Sequence, residues 1–189
     1  MTSHLVVRRC ASWPWLWLLI GVLGSAPSAT AFQTIPLSAG QLAAASELII
    51  HGQVLAKSCQ KDATGRVFTK VELAVSEVWK GSVASNQFTI VHGGGVLGQR
   101  RVVVSGQVDY HVGEEVVAFV IVNERGEGVT LSLAQGKFTV YTDGNGQKMV
   151  YNPFLGAPPA AGSPTSPAPP QRSPMSLVEL KRQALGGVR

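Results

Sequence analysis

Apolar and polar residues alternate along "VFTKVELAVSEVW": Val67, Thr69, Val71, Leu73, Val75 and Trp79 fall on one side, and Phe68, Lys70, Glu72, Ala74 and Ser76 on the other. A period of two marks a half-buried strand. Glu77 interrupts the apolar side, which predicts a bulge or the strand leaving the core. "EVVAFVIV" is apolar on both sides and reads as a central strand. "LIIHGQVL", "QFTIV", "RRVVVS", "VTLSL", "KFTVY" and "KMVY" are further short strands separated by glycine-rich or polar turns, with "TDGNGQ" the clearest hairpin signal. So many short strands within about 105 residues predict a mainly β fold, a small antiparallel barrel or sandwich.

Helical patterns occur only at the ends. "SAGQLAAASE" has a Ser38–Gln41 capping box and an alanine-rich body, so residues 32–46 form a short helical lead to the β domain of residues 47–152. Residues 153–174 hold eight of the 11 prolines and one charge, a composition that behaves as an extended linker. Residues 175–186 then carry a second capping box, Ser176 and Glu179, with Leu177, Leu180 and Ala184 on one stripe and Gly186 as the stop. A helix this short is marginal alone and has to dock, either on its own barrel or on another protein.

The N-terminus changes the picture. Arg8 and Arg9, the apolar run "WPWLWLLIGVLG" and "SATA" ending at Ala31 describe a secretory signal peptide over residues 1–31, with Phe32 as the first mature residue. The apolar run is shorter than the roughly 20 residues that span a bilayer, so no stable membrane span is expected after cleavage. The protein is therefore read as secreted or periplasmic. Cleavage removes two of the 16 basic residues, leaving 14 against 11 acidic, a balance too mild to imply nucleic acid as a partner. Only Cys59 remains of the two cysteines, so no internal disulfide is available.

Chemistry concentrates in "IVHGGGVLGQRR", residues 90–101. His92-Gly93-Gly94-Gly95 has the form of a lipase oxyanion stretch, but the G-x-S-x-G elbow it would serve is missing from the sequence. Gly93, Gly95 and Gly98 match a dinucleotide-binding spacing, yet the β-branched "QRRVVVSGQV" follows where a phosphate-binding helix is required. What remains is a flexible glycine loop between strands, flanked by His92, Arg100 and Arg101, which favours anions if it binds anything.

No metal or cofactor is expected. His51, His92 and His111 form no ligand-spaced pair, and "DGNGQ" lacks the glycine and the glutamate of a calcium loop. Glu114 and Glu115 are adjacent on a strand and point to opposite faces, so they make no acid–base pair.

"ELIIHGQVLAKS", "VELAVSEVWKG" and "HVGEEVVAFVIV" together are similar to the order of elements in netrin-like domains, barrels of the oligosaccharide-binding (OB) type found in tissue inhibitors of metalloproteinases. Bacterial secreted proteins share the pattern. The resemblance spans about residues 47–142 and rests on the short steps Trp79-Lys80-Gly81 and Val112-Gly113-Glu114. It implies an OB-like barrel and a protein partner, in particular a metalloprotease. Those inhibitors chelate zinc through an N-terminal cysteine, whereas this mature chain starts "FQTIP", so that device does not carry over.

The sequence thus predicts a non-enzymatic binding module for an extracellular or envelope protein, with a glycan- or envelope-polymer-binding domain as the alternative. Its candidate binding residues are Trp79, Lys80, His92, Gly93, Gly94, Gly95, Arg100 and Arg101.

Overall fold

The computed structural model describes residues 36–153 and 175–186. The chain divides into two compact units, Met1–Ile35 and Pro36–Arg189, and the described residues all belong to the second. The signal peptide expected over residues 1–31 and all but the first residue of the linker expected over residues 153–174 lie outside the described residues.

The second unit is mainly β. Its elements in order are α1 (Ala39–Ala45), β1 (Leu48–Lys61), β2 (Val67–Lys80), β3 (Gln87–Gly93), β4 (Gly95–Leu97), β5 (Arg100–Val102), β6 (Glu115–Val122), β7 (Gly128–Thr130), β8 (Lys137–Thr142), β9 (Lys148–Tyr151), β10 (Met175–Ser176) and α2 (Leu177–Gly186). Strands β1, β2, β3, β7 and β6 follow one another edge to edge, and β6 pairs back onto β1. The ring is closed, which makes this an OB-like barrel with no free edge among those five strands. All of its pairings are antiparallel except β3 with β7, where Ile90 lies opposite Gly128 in parallel register.

Strand β6 is the hub, and its position explains a sequence that is apolar on both sides. One edge pairs with β1 from Gln53↔Glu115 to Leu48↔Val120. The other edge is shared: residues 115–118 pair with β8 and residues 120–122 with β7. Val116, Ala118 and Val120 point into the barrel with Leu48, Ile50, Val54, Val71, Leu73, Ile90, Val108 and Tyr110. Val117 and Phe119 point outward into a second core with Ile49, Trp79, Phe138, Val140 and Val150. The 14-residue strand β1 serves both cores in the same alternating way.

The terminal helices roof the second core. Ser38 caps α1 with Gln41 in the full capping box, and Ala39, Leu42 and Ala43 face inward. The chain returns after the linker as β10, which pairs with β9 through Met175↔Val150, and then as α2. Leu180 and Ala184 are fully buried beside α1, and Leu177 is packed against the same cluster. The small side chains of Ala43 and Ala184 let the helices approach closely. The tail helix therefore docks on its own domain, one of the two dockings its stripe allows. Val178 and Leu185 on the other side are exposed.

Local patterns misplace three details. A bulge at Ser76, between the pairs His51↔Glu77 and Gly52↔Val75, follows from the Glu77 interruption. That bulge inverts the alternation, so Val78 faces the barrel interior with Val71, Leu73 and Val75 while the Trp79 indole faces the outer core. "RRVVVS" is a strand only to Val102, after which the chain runs irregularly to Glu114 and inserts Val108 and Tyr110 into the barrel. "VTLSL" stops pairing at Thr130 and enters a 3₁₀ turn at Leu133–Gly136, with Ser132 and Leu133 in the left-handed region.

Candidate functional site

Residues 93–98 are not an open loop. Gly93 ends β3, and β4 and β5 form a two-stranded arm, pairing Gly95↔Val102, Val96↔Arg101 and Leu97↔Arg100. The arm crosses the end of the barrel. Glycine is required there by close approach. Gly94 and Gly95 adopt φ of +76° and +138°, and a Cβ on Gly95 would collide with Thr69 Oγ1 and Cys59 Sγ. Thr69 is buried and donates to the Gly94 carbonyl at 2.7 Å, which ties the arm to β2.

Cys59, Thr69 and His92 lie side by side on β1, β2 and β3, through the pairs Cys59↔Thr69 and Thr69↔His92. Direct cross-strand neighbours share a face. Their side chains, with Lys57, Asp109 and the arm residues Val96 and Arg101, line a cavity of about 470 Å³ under the arm. On the other side of the arm a cavity of about 640 Å³ is lined by Val67, Phe68, Val91 and Val129 below and by Arg66, Arg100 and Arg125 at its rim. His92, Gly93, Val102, Val104 and Gln107 line both. The two cavities meet at these five residues and together form a cleft.

Electrostatics around this cleft is positive and incompletely paired. Asp62 holds Arg66 (2.8 Å), Glu127 holds Lys70 (2.9 Å) and Arg125 (3.0 Å), and Asp109 holds Lys57. Arg100 and Arg101 are exposed and have no ion-pair partner among the described residues. Burial pushes the Asp109 carboxyl up, but Lys57 outweighs it and holds the group below the usual range. Lys137 closes the barrel interior behind the cleft. Its ammonium bonds both Glu114 oxygens at 2.7 Å, donates to the Asp109 carbonyl, and lies 4.8 Å over the Tyr110 ring.

His92 is 8% exposed, and its ring stacks on Tyr110 at 6.4 Å between centroids. Its Nδ1 is 3.1 Å from the Gly93 carbonyl, an atom that only accepts, so Nδ1 carries the proton. Nε2 is left as a bare acceptor, buried and without a hydrogen-bond partner among the described residues. Burial is the main cause that lowers the His92 pKa, partly offset by the Gly93 bond.

Of the candidate residues, His92, Gly93, Gly94, Gly95, Arg100 and Arg101 are brought together here. Trp79 and Lys80 are not. Trp79 is 8% exposed in the outer core, its Nε1 donates to Glu77 at 2.9 Å, and Lys181 of α2 lies 5.9 Å from its ring. A ring so covered offers no platform for a sugar. Lys80 donates to the carbonyls of Ala43 and Ser46, satisfying the end of α1. Both residues secure the roof of the outer core.

Sequence reasoning missed Thr69, Phe68, Arg66 and Lys57 as cleft residues, and Tyr110 as the interior ring beneath His92. The signals were partial. "FTK" placed Thr69 inward among apolar neighbours, but only strand register sets it between Cys59 and His92. No protein-family model matches the chain, and no curated protein is significantly similar to it. Among the described residues no group of three or more His, Cys, Asp or Glu side chains is placed to hold a metal ion, and no helix is long and apolar enough to cross a membrane.

Proposed function

We propose that the chain is an exported, non-enzymatic binding module that captures an extracellular or envelope protein in the cleft beside the β4–β5 arm. One observation carries the reading. The cleft joins apolar walls to two arginines, Arg100 and Arg101, whose charge is met by no ion pair among the described residues. Elsewhere the described acidic and basic side chains are largely paired with one another, so this surplus marks the face where a partner's charge is most favourable. OB-type barrels use the corresponding surface, bounded by the β1–β2 turn and the turn after the central strand, which here contribute Arg66 and Arg125. Export rests on the N-terminal sequence. A metalloprotease as partner rests on the netrin-like resemblance.

The test is crosslinking capture from envelope and secreted fractions, with the full chain as bait and the Arg100→Glu/Arg101→Glu chain as control. Both side chains are exposed, so the control keeps the fold. The proposal requires one protein enriched with the wild type and lost with the control. Equal recovery with both baits, or recovery of nothing, removes it.

A further inference from the structure

His92 presents a buried acceptor, Nε2, that no group among the described residues satisfies. Buried polar atoms without partners are rare and costly, and they mark places where a ligand completes the set. This one belongs to a residue that lines both cavities, in company with the apolar side chains of Phe68, Val91 and Val129 and with Arg100 and Arg101.

The charged and polar groups around the imidazole come from several elements, with Asp62, Arg66, Arg100 and Arg125 across the second cavity. β1 supplies Lys57 and the Cys59 thiol, β2 the Thr69 hydroxyl, the segment before β6 Asp109 and Tyr110, β8 Lys137, and the arm Arg101. Lys57 is neutralised by Asp109 and Lys137 by Glu114. Thr69 is spent on Gly94 and the Tyr110 hydroxyl on Thr130. What the cleft leaves unsatisfied is cationic charge at Arg100 and Arg101, apolar surface, and one lone pair.

We propose that the cleft takes an extended segment of the partner in which an apolar side chain stands next to a carboxylate, and that His92 gains one solvent proton at Nε2 when the carboxylate is seated. The arginines select the carboxylate, the valines and Phe68 select its neighbour, and the imidazolium so formed donates to the carboxylate oxygen. Without a ligand, burial disfavours the charged ring. A seated anion removes that penalty, so proton and carboxylate bind cooperatively. This inference rests on the binding-module reading and gives it a ligand class.

The probe is a capped hexapeptide with leucine beside glutamate, titrated to millimolar concentration into the full chain while the His92 ring resonances are followed by NMR from pH 5 to 8. The ring midpoint should lie below 6.5 in the free chain and rise by about one unit or more with the peptide, a tenfold affinity difference between the two protonation states. The same hexapeptide with glutamine in place of the glutamate should leave it unmoved. In the Arg100→Gln/Arg101→Gln chain, whose substitutions are on the surface, the glutamate peptide should have at least tenfold lower affinity. His92→Gln should bind with no pH dependence over the same range. Equal response to both peptides, or a midpoint that the glutamate peptide leaves in place, overturns the inference. If the capture experiment succeeds while this one fails, the module reading stands and the ligand class is wrong; failure of capture removes the reading itself.

Discussion

The Thr69 hydroxyl donates a 2.7 Å hydrogen bond to the carbonyl of Gly94, and both residues are buried. This bond fastens the glycine run to β2 of the barrel wall. Thr69→Val keeps the volume and leaves that carbonyl unpaired, which should cost about 1–3 kcal/mol in chemical denaturation. Thr69→Ser keeps the hydroxyl and should cost less. Gly95→Ala should lose more than Thr69→Val, because it meets both the unfavourable φ and the collision with Thr69 and Cys59.

Lys137 and Glu114 form an ion pair whose side chains are 9% and 13% exposed. Removing one partner leaves the other charge buried. Lys137→Met should therefore destabilise by about 3–5 kcal/mol, and adding Glu114→Gln should recover part of that loss. Additive losses in the double-mutant cycle would show that the pair is not coupled.

The same pair predicts acid sensitivity. Burial raises the Glu114 pKa, but hydrogen bonds from Lys137 and Thr139 outweigh it, so the folded value lies below the ordinary 4.5. A carboxylate with a depressed folded pKa stabilises fully above its unfolded value and loses that contribution as pH falls through the folded one. Thermal melts should show a plateau above about pH 5 and a falling Tm below it. Glu114→Gln should flatten the acid limb, and an unchanged slope would sink the assignment.

At the other end of the domain, Leu180 is completely buried between α1 and the outer core. Leu180→Ala should cost about 2–5 kcal/mol. Val178, 77% exposed on the same helix, should tolerate Val178→Ser within roughly 0.5 kcal/mol. Similar effects at the two positions would mean that α2 is not docked through the Leu177, Leu180, Ala184 stripe.

The sequence disclosed the mainly β architecture because alternation and continuous apolar runs depend on which faces are buried, and that is a local property. "EVVAFVIV" betrayed its two-faced burial, and Ser38 and Gln41 betrayed their capping box. Strand register is nonlocal, so the row of Cys59, Thr69 and His92 was invisible although each residue was in plain view. Trp79 misled for a similar reason. Its place in the alternation pointed inward, but the bulge at Ser76 inverts the pattern and puts it in the outer core. The glycine run reads as flexibility in one dimension. In three it is a requirement of packing against Thr69 and Cys59.

The most direct test of the proposed binding cleft is site-specific photo-crosslinking of the full chain in envelope and secreted fractions. A photoreactive side chain replaces either Val103, 74% exposed and lining the cleft, or Val178, 77% exposed on α2. The account predicts a discrete protein adduct from position 103 that disappears in the Arg100→Glu/Arg101→Glu background, and no such adduct from position 178. An adduct from position 178 alone, or one from position 103 that survives the charge reversal, would contradict it.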